Sequence, residues 1–359
     1  MKPISPRVFR AAAALCALCL LVPWVRAETV AGLHEAGVPV AAQDVAARSA
    51  AAATALAEVF VKTSGSRRVL DNPVVAGALR EADRLLAQFY FTRIAYPPRG
   101  EGPTEELGLH AVFSPPAIAD LLHRAGEPLL PPNRPATLLW IAIDDGTGGG
   151  ARLFDRDADA VLADWLRWHG GRRGMPLRFP EMDLQDSTTV AAEQVWGLDA
   201  PALLAASARY GPGPVLLAKL AATGDGGWVG QWLYSDGEQA SEGEANAPAI
   251  ETLAGELVDF AAEGVAARYA VHAAAEQGGQ LRLRVDGLAT FPHYHHAYRL
   301  LQGMTSVREV QLVLVDRDTF FFDVVTASDA ETVLRELSLL PQLQPVGEAA
   351  ALHYRWSGG

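Results

Sequence analysis

The stretch Thr137-Leu138-Leu139-Trp140-Ile141-Ala142-Ile143 decides the fold class, because six consecutive apolar residues follow its first threonine. A strand with water on one face alternates apolar and polar side chains, whereas an uninterrupted apolar run is typical of a strand buried on both faces. Such a strand needs helices on both sides of its sheet. We therefore expect an α/β layer built around residues 137–143.

The sequence on the C-terminal side of this run alternates between helical and strand patterns. Helices are predicted at residues 157–169, 201–210 and 248–272, and strands at 215–220 and 227–234. Alternation of this kind favours a largely parallel sheet. We assign residues 136–275 to a central α/β domain.

Residues 28–127 show a different pattern and are predicted to form an N-terminal α+β domain. A helix over residues 44–62 ends at Ser64-Gly65, and Asn72-Pro73 begins a second helix that runs through Leu86. A strand follows at residues 89–94, and Ser114-Pro115 begins a third helix that ends at Gly126. The proline-rich residues 128–135 separate this domain from the central one.

The last eighty residues, 279–359, show strands with period-two alternation. Leu281, Leu283 and Val285 alternate with charged residues, and two more strands of this kind surround Leu312 and Phe322. A helix is predicted between the first two strands, and a second one begins with a capping box of Ser328 and Glu331. The order βαββαβ predicts a ferredoxin-like module.

Charge and cysteine content exclude several classes of function. Lys and Arg number 30 against 42 Asp and Glu, which gives a formal charge of -12 and disfavours nucleic-acid binding. Both cysteines, Cys16 and Cys19, lie in the apolar segment near the start. A chain without that segment has no thiol, so thiol nucleophiles, iron-sulfur clusters and cysteine zinc sites are excluded.

Residues 1–27 are predicted to be a signal peptide. A basic beginning is followed by an apolar run of about a dozen residues, too short to span a bilayer, and Val25-Arg26-Ala27 fits a cleavage site between Ala27 and Glu28. Neither cysteine follows a small residue, so lipid anchoring is not expected, and nothing later resembles a transmembrane span. Cleavage removes four bases and no acid, leaving 26 against 42, or -16. We expect a periplasmic protein.

Two motifs suggest cofactors only at first sight. Gly146-Thr147-Gly148-Gly149-Gly150-Ala151 matches a dinucleotide fingerprint, but the predicted helix starts too late to hold a pyrophosphate. His293, His295 and His296 cannot share one face of a helix, so three zinc ligands are not available locally. We expect neither a cofactor nor a metal.

Four carboxylates form the candidate pocket. Asp144 and Asp145 follow the central strand, and Asp183 and Asp186 precede a predicted helix. Gathered at the C-terminal ends of the strands, they would suit acid-base chemistry or a cation. Carboxylates three residues apart before a helix are alternatively helix caps.

Several motifs together resemble a known family, the secreted proteobacterial proteins grouped as domain of unknown function 2066. They are residues 50–60 with Val61-Lys62-Thr63-Ser64-Gly65, Gly174-Met175-Pro176-Leu177 with Pro180, Met182-Asp183-Leu184-Gln185-Asp186, and Ala206-Ser207-Ala208-Arg209-Tyr210-Gly211. The resemblance spans most of the chain after the signal peptide. It implies a bacterial envelope protein without an assigned reaction, so no catalytic residues carry over.

The sequence thus leads to two hypotheses about function. The first is a non-catalytic periplasmic protein that binds or assembles another envelope protein. The alternative is a periplasmic hydrolase or ligand-binding enzyme that uses Asp144, Asp145, Asp183 and Asp186. Their arrangement in space discriminates the two, because a catalytic role needs the four carboxylates in one pocket.

Overall fold

The computed structural model describes residues 27–98, 104–272, 279–347 and 352–358. Its α-helices are α1 Val45–Ser64, α2 Pro73–Arg80, α3 Pro115–Ala125, α4 Ala160–Arg173, α5 Leu184–Thr189, α6 Ala192–Trp196, α7 Ala200–Ser207, α8 Ile250–Tyr269, α9 Phe291–Gln302 and α10 Ala330–Leu337. Its strands are β1 Ala27–Thr29, β2 Glu35–Pro39, β3 Leu86–Ala95, β4 Glu105–Phe113, β5 Asn133–Pro135, β6 Thr137–Asp144, β7 Arg152–Leu153, β8 Leu177–Arg178, β9 Val215–Ala222, β10 Trp228–Ser235, β11 Ala240–Ala247, β12 Gln280–Asp286, β13 Val307–Asp316, β14 Thr319–Thr326, β15 Leu343–Pro345 and β16 His353–Trp356. The predicted α+β and α/β fold class is confirmed.

Strand β6 lies inside the central sheet and is buried on both faces, as its sequence predicts. Leu139 and Ile141 point into a core shared with α4 and α8. Leu138 and Trp140 point into a second core on the side of α5 to α7. The indole Nε1 of Trp140 donates to the Ser207 hydroxyl at 2.9 Å, so the one polar group of this ring has a partner.

The central sheet has the strand order β11-β10-β9-β6-β7, with β8 also paired to β6. The expectation of a largely parallel sheet is wrong, because only the β6–β9 and β6–β8 pairs are parallel. Strands β9, β10 and β11 form an antiparallel meander. Their connections are too short for the crossover that parallel strands require.

The end of helix α4 also differs from the prediction, which stops this helix at residue 169. Helix α4 continues through Gly170 and Gly171 to Arg173, and its C-cap is Gly174, whose φ of 60° places it in the left-handed region. The amide of Met175 donates to Gly170 O at 2.8 Å, which closes this C-cap.

Residues 27–131 contain a three-stranded antiparallel sheet of order β2-β4-β3, which packs on α1, α2 and α3. Asp44 caps α1 by accepting from the Ala47 amide, and Gly65 ends that helix, as predicted. Helix α2 stops at Arg80 rather than at Leu86, because Leu86 already belongs to β3.

The C-terminal sheet has the order β13-β14-β12-β16-β15, with α9 and α10 packed on its apolar face. Its elements follow the predicted βαββαβ order with one addition, the short β15. This extra strand reverses the chain once more, so β16 runs parallel to β12. Asp329 rather than Ser328 caps α10, because the Asp329 carboxylate accepts from the Thr332 amide.

The proline-rich residues 128–135 are not a loose linker. Strand β5 pairs with β1, and Leu129 forms a bridge with Val271 after α8. Arg134, within β5, is only 1% exposed. The predicted domain limits at 127, 136, 275 and 279 stay a prediction, but the connecting segment itself is packed.

Arg134 satisfies backbone carbonyls at two helix ends. Its Nη2 donates to Lys62 O at 2.7 Å at the end of α1, and its Nη1 donates to Gly174 O at 2.7 Å and Arg173 O at 3.2 Å at the end of α4. Its Nε donates to Pro131 O at 3.0 Å. A cation at helix C-termini also interacts favourably with the helix dipoles. Burial lowers the pKa of Arg134 to about 9, so the group stays charged at neutral pH.

We expect Arg134→Met to destabilise the protein by about 3 kcal/mol, because the carbonyls that the guanidinium satisfies lose their donor. Thermal unfolding followed by circular dichroism measures this change. The control is Arg124→Met, which removes a solvent-exposed Arg124–Asp120 pair within α3 and should cost less than about 0.5 kcal/mol. Equal stability of the two variants would contradict the role given to Arg134.

Gly174→Ala tests whether the close approach of Arg134 and Lys62 to the backbone of Gly174 requires a residue without a side chain. A Cβ on Gly174 would lie 2.8 Å from Arg134 Nη1 and 2.9 Å from Lys62 Cγ, in addition to the strain of a positive φ. Gly126 has a similar φ of 71°, and a Cβ on it would have no atom within 4 Å, which makes Gly126→Ala the matched control. We expect the control to cost about 1 kcal/mol and Gly174→Ala about 3 kcal/mol or more in chemical denaturation.

Candidate binding groove

A groove of about 650 Å³ lies where α1, α4 and α8 meet, beside Arg173. We call it the junction groove; among the residues that line it are Glu58, Tyr96, Trp168, His169, Arg172 and Glu256. Its walls come from both the α+β segment and the central segment. Sequence reasoning missed this site, because its side chains lie on elements that are distant from one another in the chain.

Aromatic rings form one side of the junction groove. The rings of Tyr96 and Trp168 are 5.5 Å apart, and Trp165 contacts Trp168 edge-on at 5.4 Å. The Nε1 of Trp165 donates to Pro98 O at 3.0 Å, which ties α4 to the end of the β3 segment. The Arg172 guanidinium lies over the Trp168 ring at 4.7 Å from its centroid.

The arginines that line the junction groove are in ion pairs. Arg172 pairs with Glu58 across α1 and α4. Arg67 pairs with Asp259, and Arg173 Nε lies 3.0 Å from the same carboxylate. These pairs join the three helices across the groove, so the arginine charges there are already balanced.

Two carboxylates of α8 line the groove without being in ion pairs of this kind among the described residues. Glu251 and Glu256 line the groove, and neither carboxylate has an ion pair or hydrogen bond within the part of the chain that the structure describes. Glu256 is exposed and Glu251 is partly buried. The α8 wall therefore carries uncompensated negative charge next to an aromatic surface.

His169 is held in a fixed neutral form. Its Nε2 lies 3.1 Å from Glu251 O, so the ring donates from this nitrogen to the carbonyl. Burial lowers the pKa of His169. Gly255 allows α8 to approach, since a Cβ there would lie 2.8 Å from the imidazole ring. The imidazole therefore acts as a packed donor that fixes α4 against α8.

The structure places the glycine loop away from any helix start. Gly146, Gly148 and Gly150 have φ values of 74°, 86° and 76°, and α4 begins only at Ala160, after strand β7. Asp144 accepts from the Gly146 amide at 3.0 Å, and the Asp145 carboxylate accepts from the Thr147 amide at 3.0 Å. The Thr147 hydrogen bonds lower the pKa of Asp145. Both carboxylates serve the local turn.

Asp183 and Asp186 belong to a closed network. Asp183 caps α5 by accepting from the Asp186 amide at 3.0 Å and also accepts two bonds from Arg209, at 2.7 and 2.8 Å. Asp186 is 2% exposed and accepts from Arg209 Nη1 at 2.7 Å, from the Met182 amide at 3.0 Å and from the Tyr210 hydroxyl. Burial and the Asp186 carboxylate raise the pKa of Tyr210 to about 12.

The four predicted carboxylates do not meet in one pocket. Asp144 ends β6, whereas Arg178 pairs with Leu138 near the start of β6 and donates to Tyr210 O, next to Asp186. At about 3.3 Å per residue the two carboxylate pairs are separated by roughly 20 Å along this strand. The candidate pocket is therefore two separate structural groups at opposite ends of the sheet.

The three histidines of α9 do not converge. The rings of His293 and His296 lie 6.4 and 5.2 Å from that of Trp356, while His295 stacks on Phe291. Within the described ranges, no group of three or more His, Cys, Asp or Glu side chains is placed to hold a metal ion. The same ranges contain no helix long and apolar enough to cross a membrane.

A pH series tests the burial of His169. Below the usual histidine pKa of about 6.5, the unfolded chain takes up a proton at this residue more readily than the folded chain does. The free energy of unfolding therefore decreases as the pH is lowered. In His169→Gln the side chain still donates to Glu251 O but does not titrate. We expect the drop in unfolding temperature between about pH 7.5 and 5.5 to be smaller in this variant. An equal drop in both proteins would show that His169 is accessible in the fold.

Comparison with known proteins leaves the function open. A family model described as Domain of unknown function (DUF8605) matches residues 27–131. No curated protein and no solved structure matches the chain. The match agrees with the expected uncharacterised domain, but it does not carry the number 2066 and covers less than a third of the chain. Residues 27–131, which supply one wall of the junction groove, are thus similar to a family of unknown function.

Proposed function

We propose that this chain is a non-catalytic binding protein of the bacterial cell envelope, and that the junction groove receives a basic segment of a protein partner. The observation that carries this proposal is the α8 wall, where the Glu251 and Glu256 carboxylates lie unpaired in the groove that Trp168 and Tyr96 also line. Aromatic faces attract cationic groups, and unpaired carboxylates attract the same groups.

Binding fits the groove better than catalysis does. A general acid or base needs a free group near its reacting atom. His169 is engaged with a backbone carbonyl, and Glu58 and Asp259 are paired with arginines. The alternative of a hydrolase with Asp144, Asp145, Asp183 and Asp186 loses its support, because these carboxylates lie at opposite ends of β6.

The charge of the whole chain favours the same class of partner. The chain without residues 1–27 has a formal charge of -16, which attracts basic surfaces and raises their rate of encounter. A basic, extended segment with apolar side chains would contact the aromatic rings while its cations pair with the α8 wall. The groove lies between helices of two segments, a common place for binding sites.

The assignment to the periplasm rests on the sequence of residues 1–27. Residues 1–26 lie outside the described part of the structure, and Ala27 is the first residue of β1. Cleavage between Ala27 and Glu28 would leave Glu28 and Thr29 to pair with β5. The resemblance to secreted proteobacterial proteins supports the same compartment.

Site-specific photocrosslinking in cells tests the proposal. A photoreactive residue replaces Glu256 in one strain and, as the control, Leu184 in another, since Leu184 is 80% exposed on α5. We expect position 256 to crosslink to one exported protein through a peptide that contains Lys or Arg. Glu251→Arg in the same chain should reduce this adduct several-fold. The intact mass of the exported protein should equal that of a chain that begins at Glu28.

Three results would overturn the proposal. They are the same adducts at positions 256 and 184, a crosslinked peptide without basic residues, or an adduct that Glu251→Arg leaves unchanged. A chain that stays in the cytoplasm with its leader would remove the envelope assignment alone.

A further inference from the structure

The central sheet carries a second groove, on the side of α5 to α7. Helices α6 and α7 pack on β9 there, whereas side chains of β10 and β11 on the same side, such as Val229, Gln231 and Glu244, are exposed. The groove has a volume of about 500 Å³. We call it the sheet groove; among the residues that line it are Trp196, Lys219, Val229, Gln231, Glu244 and Asn246.

Strand pairing places three polar side chains in one row across the sheet groove. Lys219 of β9 lies opposite Gln231 of β10, and Gln231 lies opposite Glu244 of β11. Trp232, the next residue of β10, points into the core shared with α8, so the row lies on the other face of the sheet. The row spans two strand spacings, about 10 Å.

Much of the hydrogen-bonding capacity of these side chains is unused. Gln231 Nε2 donates to the Glu244 carboxylate at 3.2 Å. The side chains of Lys219, Asn246 and Trp196 have no hydrogen bond or ion pair within the described residues. The groove therefore offers free donors from an ammonium, an amide and an indole, together with free acceptors from a carboxylate and two amides.

This mixture of groups selects the charge of the occupant. Lys219 and Glu244 are the only charged side chains among the residues that line the sheet groove, and their charges cancel. An anion would meet the Glu244 carboxylate, and a cation would meet the Lys219 ammonium. An apolar occupant would cover both charges without giving them a partner, which is costly. A neutral ligand with many hydroxyls fits, because each hydroxyl both donates and accepts.

Trp196 supplies the apolar contact that such a ligand needs. This residue ends α6 and is partly buried against the core of α5 to α7. An indole combines an apolar ring face with one N–H donor. The C–H face of a sugar ring stacks on an aromatic ring, while its hydroxyls point outward to polar side chains. Ala221 and Val229 line the groove between these polar groups without adding charge.

We propose that the sheet groove binds a neutral saccharide of one or two rings. One ring lies against Trp196, and the hydroxyls bond to Lys219, Gln231, Glu244 and Asn246. Pockets with an apolar wall and a few placed polar groups are typical of small-ligand sites. The site is separate from the junction groove, because α8 packs on the opposite face of the central sheet.

Saturation-transfer NMR on the purified chain without its leader tests the proposal. The neutral probes are maltose, cellobiose and N,N'-diacetylchitobiose, and the charged probes are glucuronate and glucosamine. We expect saturation transfer to at least one neutral disaccharide and weaker binding of both charged sugars. Gln231→Ala and Asn246→Ala should each weaken the disaccharide about tenfold, because each removes hydrogen bonds to it.

Gln311→Ala is the matched control. Gln311 is an exposed glutamine of β13, and like Gln231 it donates to a glutamate, here Glu309 at 2.8 Å. This change lies in the C-terminal sheet and should leave sugar binding unchanged. Circular dichroism should show the same fold in all three variants, because the substituted side chains are exposed.

Four results would overturn the proposal. They are no saturation transfer to any of the three neutral sugars, tighter binding of glucuronate or glucosamine than of the neutral sugars, binding that Gln231→Ala and Asn246→Ala leave unchanged, and capture of a protein by a photoreactive residue at position 246. Glu251→Arg should not alter sugar binding, so this experiment is independent of the one on the junction groove.

Discussion

The arrangement of the N-terminal and central segments depends on the hydrogen bonds that the Arg134 guanidinium donates to backbone carbonyls. It places one cation where the C-terminal ends of α1 and α4 converge, and it donates to carbonyls at both. A smaller or neutral side chain would leave these carbonyls buried without donors. Gly174 is part of the same arrangement, because only a residue without a Cβ leaves room for Arg134 there.

The junction groove follows from this arrangement. Arg173, at the end of α4, is oriented by Gly65 O and by the Asp259 carboxylate of α8. Lys62, at the end of α1, donates to Gly32 O and Glu35 O, so that helix end is held from its other side. These contacts hold the helix ends that frame the groove, so a partner of the proposed kind would meet a preformed surface. Preorganisation of this kind reduces the entropy lost on binding.

The charged groups divide into two kinds. Asp183, Asp186 and Arg209 form one closed network, and the groove arginines Arg67, Arg172 and Arg173 lie in ion pairs with carboxylates. The Glu251 and Glu256 carboxylates have no hydrogen bond or ion pair among the described residues. The distinction explains why the clusters that attract notice in the sequence carry structure, while the surface proposed for binding comes from two glutamates in an ordinary amphipathic helix.

The sequence by itself determined the local features of this protein. The apolar run from Leu138 to Ile143 specified a strand buried on both faces, Asp44 and Gly65 set the ends of α1, and alternation around Phe322 identified the last sheet, because these signals lie in neighbouring residues. Strand β11 was not predicted, because its small and acidic residues show no alternation of apolar and polar side chains. The strand forms through its pairing with β10. The tertiary structure alone decided the junction groove, the burial of Arg134 and the separation of the four carboxylates. Each of these depends on contacts between elements far apart in the chain, whose mutual positions no local pattern encodes.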